Sequence, residues 1–121
     1  MVTKAVFLCV LAISVPLDAG ERLAMRVTPN MALEPALLTV RTMIETDPDN
    51  RGLEVVAQSA DFYRSSSVQL DGASAPRLNV FEFKNLPNGT YDVTSVLVGS
   101  AGRRAIVSRG FRVAHAPGSS R

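Results

Sequence analysis

The chain has 121 residues, of which 13 are Lys or Arg and 11 are Asp or Glu, and its formal net charge is +2. This length is enough for one ordinary domain. Because charges of both signs are scattered, with no run of five or six like charges, the sequence excludes the basic stripe typical of nucleic-acid-binding proteins.

The first 19 residues have the pattern of an export signal. Lys4 gives a positive start, Ala5–Val15 is uncharged and apolar, and Pro16 ends that run shortly before the small Ala19. We therefore predict a signal peptide over residues 1–19 and a mature protein that is secreted or periplasmic, with no membrane association after cleavage. An uncleaved anchor is the alternative, although about 11 to 13 apolar residues are few for a bilayer core.

Cys9 is the only cysteine, and it lies within this apolar run. Cleavage would leave a mature chain without thiols, which excludes disulfides, cysteine metal sites and a cysteine nucleophile. Stability must then come from the hydrophobic core. A domain of about 100 residues can provide one by burying roughly 60–70% of its unfolded surface.

Beyond residue 20 the apolar residues recur with period two, which is typical of strands with one buried face. Clusters of Gly, Pro, Asn and Asp separate these segments, as turns require. Met31–Ala36 contains Pro35 and is predicted to be a connection. The seven predicted strands are Leu23–Thr28, Leu37–Glu45, Leu53–Ser59, Phe62–Leu70, Leu78–Lys84, Thr90–Val98 and Arg104–Ala114.

The same alternation predicts which side chains face the core. Phe62–Leu70 is rich in Ser at its centre, so we expect an edge strand or an irregular one there. Gly110 interrupts the alternation of the last strand and predicts a bulge. The residues predicted to point inward are Leu38, Val40, Ile44, Leu53, Val55, Ala57, Val68, Leu70, Phe81, Phe83, Leu86, Tyr91, Val93, Leu97, Phe111 and Val113.

Short strands at fairly even spacing, without helical periodicity, predict an all-β fold in which two antiparallel sheets form a sandwich. A parallel sheet would need strands that alternate with helices, and this pattern is absent. The sandwich is predicted to span residues 20–114. The polar segment 115–121 is predicted to be a flexible tail.

The run FEFKNLPNGTYDVTSVLV at residues 81–98 carries a family resemblance. It resembles the corner between the fifth and sixth strands of immunoglobulin-like and fibronectin type III-like sandwiches, and a similar LPxGxY run occurs in prealbumin-like and carboxypeptidase-regulatory-like domains. The resemblance implies an immunoglobulin-like sandwich whose structural corner is Leu86, Pro87, Gly89 and Tyr91. The chain has no Trp and no cysteine pair, so the antibody-type core is excluded.

The residue types at this corner have their own physical logic. Pro87 fixes φ at about −65°, and Gly89 permits positive φ. Tyr91 is expected to bury its ring and to donate its hydroxyl to the backbone a few residues upstream, a bond worth about 1 kcal/mol. Asn88, Gly89 and Thr90 also form an N-glycosylation sequon, although Asn-Gly is foremost turn chemistry.

Metal sites are not predicted. Two aspartates and Asn50 precede Gly52 as in a calcium-binding loop, but Arg51 and Gln58 stand where ligands are needed. A solvated turn is therefore expected there, with a cation site of another form as the alternative.

Catalytic sites are not predicted either. His115 is the sole histidine and lies in the polar tail, without the held partners that a zinc site or a nucleophile pair requires. We therefore expect no enzyme and no cofactor. The remaining catalytic alternative is an acid–base pair among the carboxylates around one turn, which are Glu45, Asp47, Asp49 and Glu54.

Arginines concentrate on the last predicted strand. A row of guanidinium groups on one face can bind a polymer that carries carboxylates or phosphates, such as an acidic polysaccharide. The alternative is that these charges protect an outer strand from pairing. The candidate binding face consists of Arg103, Arg104, Arg109 and Arg112, joined by Arg26 if the first strand pairs with the last.

These observations favour a non-catalytic exported interaction or structural module that binds another envelope or extracellular protein. Such domains commonly bind by adding a partner strand to an exposed sheet edge. The alternative function is a carbohydrate- or polyanion-binding module that uses the arginine-rich face. No nucleic-acid partner is expected.

Overall fold

A computed structural model of the protein describes residues 22–117. The predicted signal peptide at residues 1–19 lies outside the described residues, as does the end of the predicted tail. Within residues 22–117 there is no helix long and apolar enough to cross a membrane.

Residues 22–117 form eight strands and one short 3-10 turn, Gly72–Ser74. In chain order the strands are β1 Leu23–Thr28, β2 Met31–Leu33, β3 Ala36–Ile44, β4 Gly52–Gln58, β5 Tyr63–Gln69, β6 Leu78–Leu86, β7 Gly89–Gly99 and β8 Gly102–Ala114.

The strands form two sheets. One has the order β1-β3-β6 and the other the order β2-β8-β7-β4-β5. Every strand pair is antiparallel except β2 with β8, which is parallel. The predicted all-β fold of two sheets is therefore confirmed. The prediction that the serine-rich segment is an edge strand is also confirmed, because β5 pairs only with β4 in the described part of the chain.

The core lies between the sheets and follows the alternation along the strands. Val68 is the exception to the predicted inward set, since 39% of it is exposed. The reason is its edge position, because β5 packs extensively only against β4. The side chains that were predicted to face inward and are buried are Leu38, Val40, Ile44, Leu53, Val55, Ala57, Leu70, Phe81, Phe83, Leu86, Tyr91, Val93, Leu97, Phe111 and Val113.

Two local predictions are wrong. Met31–Leu33 is a strand, which was missed because three residues show no clear alternation and the partner, Arg112–Ala114, is distant in sequence. Gly110 is not a bulge, because it pairs in register with Asp92. The register instead shifts between Leu97 and Val98, opposite the start of β8.

Candidate functional site

The turn between β6 and β7 links the two sheets, because each strand belongs to a different sheet. Tyr91 is fully buried, and its hydroxyl donates to the Pro87 carbonyl oxygen at 2.7 Å. Its ring packs against Phe62 and Phe111, at centroid distances of 6.2 and 6.0 Å. Burial raises the pKa of the Tyr91 hydroxyl, so the phenol remains a protonated donor at neutral pH. These contacts place the corner within the core of the fold.

Gly89 and Glu34 hold the same turn from the outside. Gly89 has a φ of 153°, and a Cβ built there would lie 3.4 Å from the Ser59 Cβ, so both backbone and space favour glycine. Glu34 Oε1 accepts hydrogen bonds from the Asn88 backbone nitrogen at 3.1 Å and from its Nδ2 at 2.9 Å. His115 Nδ1 lies 2.9 Å from Glu34 Oε2. Thus His115 is exposed as expected but is paired with a carboxylate.

The turn between β3 and β4 carries a charged cluster that closes the other end of the sandwich. Arg104 donates from Nη1 to Asn50 Oδ1 at 2.6 Å and from Nη2 to Asp47 Oδ2 at 3.1 Å. Asp49 Oδ1 accepts from the Ser100 hydroxyl at 2.7 Å and from its backbone nitrogen at 3.1 Å. We call these five residues the Asp47–Arg104 cluster. It ties the β3–β4 turn to the turn between β7 and β8.

Hydrogen bonds explain the electrostatics of this cluster. The bond from the Asp49 backbone nitrogen lowers the pKa of Asp47, and the bonds from Ser100 lower the pKa of Asp49. Asn50 is fully buried, and its Nδ2 donates to the Glu45 carbonyl oxygen at 2.9 Å. The segment that was expected to be a solvated turn is therefore partly buried. Among residues 22–117 there is no group of three or more acidic, His or Cys side chains placed to hold a metal ion.

The five arginines of the candidate binding face do not share one face. Arg104 has only 15% of its side chain exposed, because it belongs to the Asp47–Arg104 cluster. Arg103 and Arg112 lie opposite Val98 and Thr90, near the two ends of β8. Arg109 lies opposite the buried Val93, on the core-facing side of the same strand.

Arg26 is not joined to the other arginines in the way that was anticipated. The first strand pairs with β3 and not with β8, so Arg26 belongs to the three-stranded sheet, directly opposite Arg41. Arg26 and Arg109 nevertheless line one surface cleft of about 480 Å³, between β1 and β8. Of the predicted set, these are the two arginines that share a cleft.

The outer face of the three-stranded sheet exposes an apolar strip. Met43 and Leu78 are directly opposite each other and are 42% and 49% exposed, and Val80 in the next outward row is 51% exposed. We call Met43, Leu78 and Val80 the outer strip. Arg41 lies opposite Val80, so the strip has a positive border.

Among the sheet edges of residues 22–117, the free edge of β5 is the longest whose strand carries no more than one charge and no proline. β5 has seven residues, none of them buried, and the sequence YRSSSVQ contains one charge and no proline. Its register with β4 is continuous, so no bulge turns the edge away. Natural edges are commonly protected by charge, proline or bulges. The Ser-rich composition is the sequence signal for this edge.

The single charge of β5 is directed back onto the protein. Arg64 Nη1 donates to the Lys84 carbonyl oxygen at 2.8 Å. Its guanidinium lies 5.1 Å from the centroid of the Phe62 ring, within cation–π range. The Arg64 guanidinium therefore contacts the rest of the protein and leaves the free edge of β5 without a protecting charge.

No protein-family model matches the chain, and no curated relative matches it. Solved structures with the same fold are found. The superoxide reductase (neelaredoxin) from Ignicoccus hospitalis is 12% identical with a TM-score of 0.60, over 84% of this chain and 87% of that chain. The sulfur carrier protein SoxY from Chlorobium limicola f thiosulfatophilum is 11% identical with a TM-score of 0.59, over 76% and 75%. The human F-spondin reeler domain is 10% identical with a TM-score of 0.55, over 79% and 91%.

These neighbours correct one prediction. The prediction that the chain is not an enzyme is wrong, because its fold does not exclude catalysis. Superoxide reductases are enzymes and have this two-sheet fold. One fold can host many unrelated functions, so the architecture gives no argument against catalysis. At this level of identity the likeness shows the fold alone: an all-β fold of two sheets related to those of superoxide reductase, SoxY and reeler domains.

Proposed function

We propose that the protein is an exported interaction module, of the immunoglobulin-like or fibronectin type III-like kind, that takes a strand of a partner protein onto the free edge of β5. Its compartment is the periplasm or the cell exterior, as the pattern of residues 1–19 favours. The observation that supports this function is the unprotected edge of β5. Strand addition gives affinity through main-chain hydrogen bonds, and the flanking side chains give specificity.

The backbone direction of β5 identifies the groups available to a partner. The Leu70 nitrogen donates to the Arg51 carbonyl oxygen, and the Phe62 carbonyl oxygen accepts from the Ser59 nitrogen. Even-numbered residues therefore point their main-chain groups toward β4, and the alternation of an antiparallel ladder directs the odd-numbered ones outward. The outward residues are Tyr63, Ser65, Ser67 and Gln69.

The other sheet edges are less suited to this role. β2 has only three residues. β1 carries Arg26 and is followed by Pro29, and β6 carries Glu82 and Lys84. Charges and proline on an edge oppose strand addition. Within residues 22–117, β5 is thus the edge that combines length with a lack of protection.

Lysines on the β5 edge test this function, with a matched Ser-to-Lys change elsewhere as the control. The full chain is used as bait for an envelope extract of the source organism. Ser65→Lys with Ser67→Lys should lower recovery of the bound protein at least about tenfold, because two charges oppose a new strand. Ser108→Lys, on the same outer sheet face but on β8, should leave recovery unchanged.

Hydrogen exchange gives an independent readout. When the captured protein is added back to dilute, monomeric protein, the amides of Ser65 and Ser67 should become protected, because they point toward the added strand. Equal recovery with the β5 and β8 variants, or protection elsewhere with these amides unchanged, would reject the proposal.

The second candidate function is binding of an acidic polysaccharide, and the shared cleft of Arg26 and Arg109 supports it. Two guanidinium groups can bind carboxylate or sulfate groups of such a polymer. Wild-type protein should then be retained on heparin at low salt and released at moderate salt. Arg26→Ala with Arg109→Ala should abolish retention, whereas Arg103→Ala should not. Equal retention of all three proteins excludes this cleft.

A further inference from the structure

We infer that one partner of the β5 edge is the β5 edge of a second copy of this chain, related by a two-fold axis through Ser66. This inference rests on the proposed function and names the occupant of the edge. Two-fold dimers are the commonest symmetric assemblies, and they require a surface that is complementary to itself. The edge of β5 meets this requirement in both its main-chain groups and its side chains.

The main-chain groups match in an antiparallel register centred on Ser66. In that register the outward residues face one another, Tyr63 opposite the second copy's Gln69 and Ser65 opposite the second copy's Ser67. Each of the four outward residues then donates one main-chain hydrogen bond and accepts one, as the hydrogen-bonded pairs of an antiparallel ladder do. A shift of the axis to Ser65 or Ser67 would pair fewer residues, so the Ser66 register makes the longest ladder.

The side chains are compatible with this register. The only charge, Arg64, lies opposite the second copy's Val68, so no like charges confront each other. Val68 is 39% exposed in the single chain, and the second copy's Arg64 stem would cover it. Small serines fill the centre, where close approach of two strands is needed. The product is one continuous sheet that crosses both molecules.

Disulfide trapping tests the register. In the full chain with Cys9→Ser, each tested variant has one cysteine: Ser66→Cys, Ser65→Cys or Ser67→Cys. At the two-fold axis the two Ser66 residues form a non-hydrogen-bonded pair with Cα atoms about 4.5 Å apart, within disulfide range. The two Ser65 residues would be about 7–8 Å apart, beyond it.

Ser66→Cys should therefore give a covalent dimer under mild oxidation at least about tenfold faster than either neighbour. Equal rates for the three variants would overturn the inference. Faster dimer formation by Ser65→Cys or Ser67→Cys would overturn the register.

Sedimentation of proteins without added cysteines tests the dimer itself. The apparent mass of the wild type should rise toward twice the monomer mass with concentration. Ser65→Lys with Ser67→Lys should remain monomeric. At a concentration at which the wild type is also monomeric, it should keep the wild-type thermal unfolding curve, which shows that it folds. Val80→Lys, which places a charge on the outer strip, is the control for association through the other exposed apolar surface. Mass doubling that Val80→Lys abolishes and the β5 lysines do not would overturn the inference.

The outcomes separate this inference from the proposed function. A monomeric wild type with no Ser66→Cys dimer removes the second copy as occupant, even where the β5 lysines still abolish capture from the envelope extract. The proposed function fails when the β5 lysines leave that capture unchanged, or when the captured protein protects amides elsewhere and leaves those of Ser65 and Ser67 unchanged.

Discussion

Strands β7 and β5 lie in one sheet with only β4 between them, yet different interactions hold them. β7 alternates strictly, and Tyr91, Val93 and Leu97 are fully buried. β5 has no buried residue and is attached through its ladder with β4. A strand at the centre of this sheet therefore contributes buried side chains to the core. A strand at its edge leaves main-chain N–H and C=O groups free for a partner. Substitutions in β7, in β5 and in the Asp47–Arg104 cluster should therefore change the free energy of unfolding by different amounts.

Tyr91→Ala should have the largest effect. Removing a fully buried aromatic ring leaves a cavity, and the free energy of unfolding should fall by about 3–5 kcal/mol. Tyr91→Phe keeps the ring and leaves the Pro87 carbonyl oxygen without its partner, so it should cost about 1 kcal/mol. Urea denaturation of both variants measures the difference. Similar losses for the two substitutions would contradict the assignment of most of the stabilisation to the ring.

Arg104→Ala should have the next largest effect on stability. The buried Asn50 Oδ1 would lose its guanidinium donor, and an unsatisfied buried acceptor costs about 1–3 kcal/mol. Arg103→Ala, an exposed neighbour on the same strand, is the control and should stay within about 0.5 kcal/mol of wild type. Thermal unfolding of the two variants gives the comparison. Equal midpoints would show that the Asp47–Arg104 cluster adds little.

The carboxylates at the two ends of the sandwich predict a pH dependence. The pKa values of Glu34, Asp47 and Asp49 are lowered in the folded state, chiefly by hydrogen bonds from Asn88, Asp49 and Ser100 respectively. Groups with a lowered pKa stabilise the fold above their unfolded values, and this contribution is lost as the pH falls through the folded values. The melting temperature should therefore fall as the pH drops below about 4.5, the ordinary pKa of Glu34.

The matched variant for this pH effect is Asp49→Asn, which removes one of these carboxylates. Its melting temperature should fall less steeply with acid than that of the wild type. A melting temperature that rises in acid would contradict the direction of these shifts.

Ser95→Ala should stabilise β7 slightly. The Ser95 hydroxyl is buried, and within residues 22–117 it has no hydrogen-bond partner. Replacing it with a methyl group removes the cost of burying an unpaired hydroxyl, so we expect a gain of about 1 kcal/mol in chemical denaturation. A loss of stability would indicate that the hydroxyl has a bonding role in solution.

Val68→Ala should have the smallest effect in the isolated monomer, below about 1 kcal/mol, because this edge side chain is partly exposed. Val93→Ala, the same change at a fully buried position of β7, is the control and should cost clearly more. Denaturation at low protein concentration keeps the second copy from contributing. Equal losses at the two positions would remove the contrast between the strands.

The fold was largely predictable from sequence because one-sided burial leaves a period-two pattern that is local. Leu38, Val40, Phe81 and Phe83 illustrate this, since each is buried as predicted. Val68 could not be placed by the same rule, because the alternation gives the side a residue faces and not whether a second sheet covers that side. β2 escaped prediction because its pairing with β8 is short and distant in sequence.

The contacts of the candidate sites were harder to predict than the strands. LPNGTY contains both partners of the Tyr91 hydrogen bond, so a local motif was enough to anticipate a corner there. Arg104 lies 57 residues from Asp47, and no local pattern joins them. The candidate binding face required the arginines of the last strand to lie on one side of it and the first strand to pair with the last. The register shift at the start of β8 and the pairing of β1 with β3 separate these arginines.

The two ends of the described chain lie at opposite poles of the sandwich. The Arg22 carbonyl oxygen accepts from the Glu45 nitrogen beside the Asp47–Arg104 cluster, whereas His115 contacts Glu34 at the Tyr91 corner. β3 runs the distance between these poles, and its nine residues extend about 30 Å. The points at which the chain enters and leaves this fold, Arg22 and His115, are therefore separated by about the length of β3. The two chain ends thus lie apart along the direction of β3, whereas the free edge of β5 lies at the side of its sheet.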